Sequence, residues 1–411
     1  MSLDCLFSRS GKFAGKRLHL GVSGSVACYR ALDVLRALRA LDMHVSATLT
    51  GGARQFVTPL LFEALGAMPV YGDMFAPGEE AFAHLEPGQH AQAMLVAPAS
   101  ADTLSRLAQG AASDMLSAQA LAFDGPLLLA PAMNPRMWQH PATQANVATL
   151  RERGARIILP ACGRAACGDA GEGRLAPPEE LFWQALRALA PQDMAGKRVM
   201  VTVGPTREPW DGVRYWSNPS SGRMGGALAV AAWLRGATVT AVCGPGCPGL
   251  PSEIRRLDVG TAREMFEAAA DIWPDMDCGC FCAAVADFSP VPHGPEKFKK
   301  EGAEAGFSVS FAPNPDILRT LAARRRADQR LLGFAAETAP DMDSLLALAR
   351  AKRARKDADL LAGNCVNSAG CGFGCATNSM AVTDRHGHEE IWPQQNKADV
   401  AWDLLTWLLR I

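Results

Sequence analysis

No apolar run in this sequence approaches the length of a bilayer crossing. A helix needs about 20 apolar residues to span a membrane, and a run such as ALAVAAWL at 227–234 stops at Arg235. A surplus of one charge is missing as well: 41 Lys and Arg face 42 Asp and Glu, for a formal net charge of −1. That balance gives no broad electrostatic reason to expect nucleic acid or a membrane surface as partner. The opening segment MSLDCLFSRSGKFAGKR lacks the apolar core and cleavage pattern of a secretory signal, so it reads as a short leader on a cytoplasmic protein. Charge is also too sparse for disorder, at 20% against 48% hydrophobic. Cysteine is present, with 12 residues, and in a cytosolic chain this reads as thiols rather than a disulfide frame.

What is there is an alternation. LHLGV (18–22), HVSATL (44–49), AMLVAPA (93–99), PLLLAPA (126–132) and RIILP (156–160) read as strands, separated by stretches such as VACYRALDVLRALRAL (26–41) with helical spacing. The second half repeats the scheme with VMVTV (199–203), ATVTAVC (237–243), FCAAVA (281–286), LLGFAA (331–336) and DLLAG (359–363). Strands apolar on both faces and alternating with helices predict an α/β fold, with parallel sheets covered on both sides. AGKRLHLGVSGS at 14–25 and AGKRVMVTVGPT at 195–206 look like the first strand of an open α/β domain occurring twice. A chain of 411 residues accommodates two such domains, and the boundary is expected near residue 191, giving 1–190 and 191–411.

Ligands of open parallel sheets gather at the carboxyl ends of the strands. In the first half, GVSGSVACY (21–29) places Ser23, Gly24 and Ser25 between a strand and a helix start, which suits a phosphate. Thr50 ends the next strand, and Ser100 and Thr103 follow a third. PAMNPRMW (131–138) offers the amide of Asn134, which is also a good helix N-cap before Pro135. His84 sits in AFAHLEPG, and GRAACGDAGEGRLAPP (163–178) is a glycine-rich stretch centred on Cys167, read as an active-site flap.

Taken in order, GVSGSVACYR, the His84 segment, APASADT, PAMNPRM and ACGDAGEGR resemble the flavin-dependent phosphopantothenoylcysteine decarboxylases across roughly residues 15–185. The resemblance implies a flavodoxin-like, Rossmann-like flavoprotein domain with FMN held at the subunit contacts of a trimer. It assigns the FMN edge to Ser23, Gly24, Ser25, Thr50, Ser100 and Thr103. His84 is implied as the active-site base, Asn134 as the ligand of the substrate carboxylate, and Cys167 as the proton donor. The chemistry is coherent: oxidation of the cysteinyl thiol to a thioaldehyde creates the electron sink that an alkyl carboxylate otherwise lacks. A thiol with a pKa near ~8.5 is protonated at neutral pH and can then act as acid.

In the second half, SNPSSGRMGGALA (217–229) looks like a dinucleotide-binding turn, yet about fifteen residues separate it from its strand, too many for a tight first βα turn. ADF (286–288), PEKFKK (295–300), NPDIL (314–318), GFAAET (333–338) and KRARK (352–356) complete a pattern that, with GPTREP, resembles the phosphopantothenate–cysteine ligases from about 195 to the last residue. A Rossmann-like ligase domain using CTP and Mg2+ is implied. Contacts to CTP are implied for Asp287, Lys297, Asn314, Pro315, Asp316, Ile317, Phe334, Lys352 and Lys356, with metal ligands unknown. Asn218 is implied to govern an acyl-cytidylate intermediate by polarising its carbonyl, and Lys297 to stabilise charge at phosphorus.

Both halves together resemble a bifunctional family of coenzyme A biosynthesis that takes 4′-phosphopantothenate, L-cysteine and CTP. Members form homo-oligomers, dodecamers of decarboxylase trimers joined through ligase dimers. This chain departs from the pattern at Pro219, where histidine is common, and at Phe288, where tyrosine is common. Cys278, Cys280, Cys282, Cys365, Cys371 and Cys375 are extra; the first three are expected to share one face of a strand. Their spacing matches no tetrahedral zinc motif, so packed free thiols are expected. A flavin-binding regulatory module, like inhibitory subunits of phosphatases, is the alternative function; His84, Asn134, Cys167 and a complete second half argue against it. A dinucleotide-dependent oxidoreductase fails for want of a tight glycine fingerprint with an acidic residue about twenty positions on.

Overall fold

The computed structural model describes residues 6–76, 80–164, 168–299, 306–367 and 374–411; Cys167 and Cys371 lie outside them. Contacts divide the chain into two units, Met1–Ala190 and Pro191–Ile411. Among the described residues no helix is long and apolar enough to cross a membrane.

The first unit begins with β1 (Arg17–Val22), α1 (Ala31–Arg39), β2 (His44–Leu49), α2 (Pro59–Ala64), β3 (Val70–Tyr71) and α3 (Glu86–His90). It continues through β4 (Ala93–Ala99), α4 (Ala101–Gln109), α5 (Met115–Leu121), β5 (Leu127–Pro131), α6 (Pro135–Gln139) and α7 (Pro141–Glu152). Then come β6 (Arg156–Ile157), β7 (Ala161–Arg164), β8 (Ala170–Arg174) and α8 (Pro178–Leu189). Six strands form one parallel sheet in the order β3-β2-β1-β4-β5-β6. The order turns back at β1 and β4, the switch point where such sheets open a crevice. All of β4 is buried, which is why its sequence shows no alternation. Two expectations need correction. The helix over 26–41 starts as a 3-10 turn at Val26–Arg30 before α1, and the strand over 156–160 is only Arg156–Ile157. The glycine-rich stretch contains a hairpin, with β7 and β8 antiparallel.

The second unit runs β9 (Arg198–Val203), β10 (Arg207–Pro209), β11 (Tyr215–Ser217), α9 (Arg223–Leu234), β12 (Thr238–Cys243), β13 (Arg255–Asp258) and α10 (Ala262–Ile272). Next are β14 (Cys278–Phe281), β15 (Phe288–Pro290), β16 (Phe311–Pro313), α11 (Ile317–Ala322), β17 (Arg330–Glu337) and α12 (Met342–Lys356). β18 (Leu360–Cys365), β19 (Thr377–Asp384), β20 (Glu389–Asn396) and α13 (Lys397–Leu408) close it. The eight-stranded sheet has the order β13-β12-β9-β14-β17-β18-β19-β20. Its first six strands are parallel, whereas β19 and β20 are antiparallel, so this sheet is mixed rather than purely parallel. α9 holds the ALAVAAWL run and is buried on every side, as a helix sandwiched between layers must be.

The strand expected over 281–286 is instead β14, and it stops at Phe281. Thr202 replaces the missing ladder: its hydroxyl accepts from the amides of Cys282 at 3.1 Å and Ala283 at 3.2 Å. Cys278 and Cys280 therefore lie buried in the strand, while Cys282 lies past its end. Burial pushes the Cys278 thiol up to about 11.

Candidate functional site

In the first unit the expected residues sit at the carboxyl ends of β1, β2, β4 and β5. Ser23 is buried; its hydroxyl donates to the Pro98 carbonyl at 2.8 Å and accepts the Ser100 amide at 2.8 Å. Its proton is thereby spent on joining β1 to β4. Ser25, Thr50 and Ser100 each accept a backbone amide of the following turn, from Ala27, Ala53 and Thr103. A hydroxyl that accepts in this way still has its proton to offer. A Cβ on Gly24 would stand 3.0 Å from the Gly52 backbone, so the turns after β1 and β2 touch and Ser25 and Thr50 flank the contact. Beside this polar rim lie exposed Val26, Tyr29 and Phe56. A polar rim against apolar side chains fits a flat ring system carrying a phosphate, as FMN is.

Asn134 is held at both ends of its amide. Its Oδ1 accepts the Arg136 amide at 2.8 Å, and its Nδ2 donates to Asp169 at 2.8 Å. The β7–β8 hairpin is fastened to the same segment: the Met133 amide donates to Gly173 at 2.9 Å. A side chain at Gly173 would meet the Met133 carbonyl at 2.5 Å, so this close approach needs glycine. Asp169, just before β8, thus ties this hairpin to Asn134. His84, half-buried, stands elsewhere. The carbonyl of Ala83 is bonded to Gln119, which is bonded to Thr48 on β2. In the sheet order β2 and β5 are three strand spacings apart, roughly 14 Å at ~4.8 Å each.

In the second unit the candidates converge. A cavity of about 490 Å³ is lined by Asn218, Asp287, the 314–317 stretch, Phe334, Lys352 and Lys356. Asn314 stitches two of these segments together, its amide donating to the Asp287 carbonyl at 2.8 Å and its Nδ2 to Ala286 at 2.8 Å. Asp316 caps α11 through the Arg319 amide and pairs with Lys356; Lys352 pairs with Glu337 at 2.9 Å. Both ammonium groups are thereby fixed at the cavity wall.

The amide of Asn218 is already held within the fold. Its Nδ2 donates to the carbonyls of Ala284 at 3.3 Å and Val285 at 3.1 Å. Carbonyls only accept, so these bonds fix the amide orientation and use both N–H groups. Oδ1 is left for a ligand, and an acceptor cannot polarise an acyl carbonyl.

Lys297 does not line the cavity. It is exposed on a loop whose Phe298 amide donates to Asp211 at 3.1 Å, while the Phe298 ring lies 5.2 Å from that of Trp210. Burial pushes the Asp211 carboxyl up, but bonds from Arg214, Val213 and Phe298 outweigh it and hold it well below the usual range. Phe288 and Pro219, the two departures, are both exposed.

Sequence reasoning missed Lys397, Asn378 and Thr202, which line the same cavity. Lys397 is buried at the start of α13 and opposes the burial that pushes Cys282 up to about 12. It lies 41 residues beyond Lys356, the end of the last motif read from the sequence, and only the β19–β20 hairpin brings it back. Cys365 is buried against Ala339 and Asn367, whereas Cys375 is partly exposed. Among the described residues no group of three His, Cys, Asp or Glu could hold a metal ion.

Comparisons with known proteins fit this division. A family model for the DNA/pantothenate metabolism flavoprotein C-terminal domain matches residues 194–411, and a flavoprotein model matches residues 6–188. The chain is 38% identical over 393 residues to the coenzyme A biosynthesis bifunctional protein CoaBC of Vibrio vulnificus, covering 95% of this chain and 97% of that protein. Its Escherichia coli K12 counterpart is 38% identical over 93% of this chain and 94% of its own length. That of Bacillus subtilis is 37% identical over 94% and 95%.

Proposed function

The chain belongs to the family of bifunctional coenzyme A biosynthesis proteins, which join cysteine ligation to FMN-dependent decarboxylation, and from that premise we propose how its own residues divide the work. The first unit, to residue 190, takes the decarboxylation; the second, from 191, takes the ligation.

In the ligase half, CTP occupies the cavity, with Phe334 against the base and Asn314, Pro315, Asp316 and Ile317 along its edge. Lys352 and Lys356 exchange their carboxylate partners for oxygens of the nucleotide. Lys297 supplies the cation at the transferring phosphorus. Mg2+ would enter with the phosphates, as hard cations bound through few protein ligands do, and Asp287 is the carboxylate that would hold it. Once 4′-phosphopantothenate is activated as an acyl-cytidylate, Asn218 acts through Oδ1, accepting an N–H of the attacking cysteine amine and orienting its lone pair toward the acyl carbon.

In the decarboxylase half, FMN, when bound, supplies the oxidation and return of hydride that let an unactivated carboxylate leave as CO2. Ser25, Thr50, Ser100 and Thr103 edge it, and Gly24 and Ser23 shape the turn beneath. His84 takes the proton of the substrate thiol, Asn134 holds the carboxylate from its capped position, and Cys167 returns a proton after CO2 has gone. The separation of His84 and Asn134 along one sheet supports a site completed by a second subunit. Exposed Phe56, Leu60 and Phe82 in the first unit, and Val213, Tyr215 and Trp216 in the second, support homo-oligomerisation through both units. We place the protein in the cytoplasm, where its substrates are made.

The observation that carries this reading is the cavity gathering Asn218, Asp287, Phe334, Lys352 and Lys356. Incubation with 4′-phosphopantothenate, cysteine, CTP and Mg2+ should release CMP, pyrophosphate and CO2 in equal amounts. Turnover with ATP in place of CTP, and none with CTP, would sink the nucleotide assignment.

A further inference from the structure

A line of buried polar side chains joins the core of the first unit to the His84 segment. His19 stands in the middle of β1 between Leu18 and Leu20, and it is fully buried. Its Nδ1 is 2.8 Å from Ser46 Oγ and its Nε2 is 3.0 Å from Thr48 Oγ1. Thr48 donates to Gln119 Oε1 at 2.5 Å, and Gln119 Nε2 donates to the carbonyl of Ala83 at 3.0 Å. Gln119, too, is fully buried, on α5.

Chemistry fixes the direction of every bond. The Ala83 carbonyl only accepts, so it faces Nε2 and leaves Oε1 for Thr48. The single hydroxyl proton of Thr48 goes to Gln119, so His19 Nε2 carries a proton and donates to Thr48. Nδ1 then accepts from Ser46. Burial keeps the imidazole neutral, with its pKa lowered to about 3. All four bonds point the same way, toward the peptide that joins Ala83 to His84, and bonds aligned in series strengthen one another. A second anchor holds the far side: Tyr71, whose ring lies 6.0 Å from that of His19, donates its hydroxyl to Glu86 at the start of α3. Buried polar side chains such as His19, Thr48 and Gln119 cost stability unless all are satisfied, and an apolar core would hold the sheet as well. The use of this line lies where it ends.

We propose that Gln119, backed by Thr48 and His19, is a positioning residue of the decarboxylase site that sets where His84 stands. The inference rests on the reading of His84 as the base. Misplacing a reacting group by about 1 Å can cost on the order of 10²-fold in rate, so a fixed carbonyl one residue before the base has a kinetic consequence.

The test uses the full-length, FMN-loaded protein mixed anaerobically with 4′-phosphopantothenoylcysteine, following flavin bleaching. Gln119→Leu should bleach roughly 10- to 100-fold more slowly at saturating substrate, with FMN content, substrate Kd and ligation within twofold of the parent. Gln119→Glu is the isosteric check. A protonated carboxyl can accept from Thr48 and donate to Ala83, and burial raises its pKa, so bleaching should approach the parental rate at low pH and fall as pH rises. Normal bleaching in His84→Asn would overturn the reading of the base itself. Slow bleaching in His84→Asn beside normal bleaching in Gln119→Leu would overturn the positioning role alone. So would a pH profile of Gln119→Glu that superimposes on the parent's, or a Gln119→Leu defect confined to substrate Kd.

Discussion

The two halves share a sheet architecture and place their candidates at the same edge, yet they build sites of different kinds. In the second unit one cavity gathers residues from β14, β17, α11 and α12, and Asp316, which holds Lys356, is part of the same wall. In the first unit the candidates are strung along the edge from β2 to β5, and most hydroxyls there already cap a turn. A nucleotide site can be complete in one sheet because charge and backbone supply the grip. In the reading proposed above, the spread of candidates along the first unit's sheet edge leaves room for a second subunit to complete that site.

The strongest way to break this contrast is to remove the base. His84→Asn should suppress CO2 release by at least ~10²-fold and leave CTP-dependent pyrophosphate release at the parental rate. Loss of both activities would mean that the halves are not chemically independent. Cys167→Ser should be similarly selective but later: about one CO2 per site, bleached flavin, and no finished product. No CO2 at all from that variant would place the thiol earlier in the reaction.

Asn134→Asp sharpens the contrast at a single carboxamide. The new carboxylate would keep the cap on Arg136 but stand against Asp169, now 2.8 Å from Nδ2. Like charges at that distance repel, so the hairpin should loosen and decarboxylation fall by about 10²-fold or more. Adding Asp169→Asn should restore the pairing without restoring activity, because the substrate carboxylate still meets a negative charge. Full recovery in the double variant would assign Asn134 to holding the hairpin alone.

The ligase half should respond in steps. Asn218→Asp keeps an acceptor at Oδ1 but loses the N–H groups bonded to Ala284 and Val285, so acyl-cytidylate should form and accumulate while amide formation slows. Lys352→Met should act on binding, raising the KM for CTP roughly tenfold, the weight of one charge-assisted hydrogen bond. A change in kcat with KM untouched would move Lys352 from the nucleotide to the reacting centre.

How much of this the sequence carried depended on whether a residue's partners were near it in the chain. The central parallel strands β1, β2, β4, β5, β9, β12, β17 and β18 were legible, since a strand buried on both faces must be apolar throughout, whereas the short β3 and β13 were not. The β19–β20 hairpin was not, because its sequences mix polar and apolar residues: β19 is largely buried yet carries Asn378, Thr383 and Asp384, while β20, at the edge, has no buried residue. β14 was misplaced by three residues because AAVA after it is as apolar as the strand, and only the hydroxyl of Thr202, 80 residues away, shows where pairing ends. Motifs located Asn218 and Ser23 but not the partners their hydrogen bonds take within the fold. Gln119 and His19 gave no signal at all: each reads as a stray polar residue in an apolar run until the fold joins them.

The smallest expected effect concerns acid, and it separates the units again. His19 is neutral in the fold with a pKa near 3, against 6.5 for the unhindered imidazole. The native state therefore binds fewer protons than the unfolded chain, and the first unit loses stability as pH falls from 6.5 toward 3, by at most about 1.4 kcal/mol per pH unit from this one group. Other groups titrate in that range, so the useful quantity is a difference between proteins. His19→Gln keeps hydrogen-bonding atoms in place and removes the titration. Hydrogen exchange of the β1 amides, which opens through unfolding of the unit, should accelerate on acidification by up to tenfold per pH unit more in the parent than in the variant. Amides of β9, in the other half, should show no such difference. Equal acid slopes for β1 in the two proteins would mean that the imidazole takes up its proton inside the fold, and the directional line from Ser46 to Ala83 would then be incorrect.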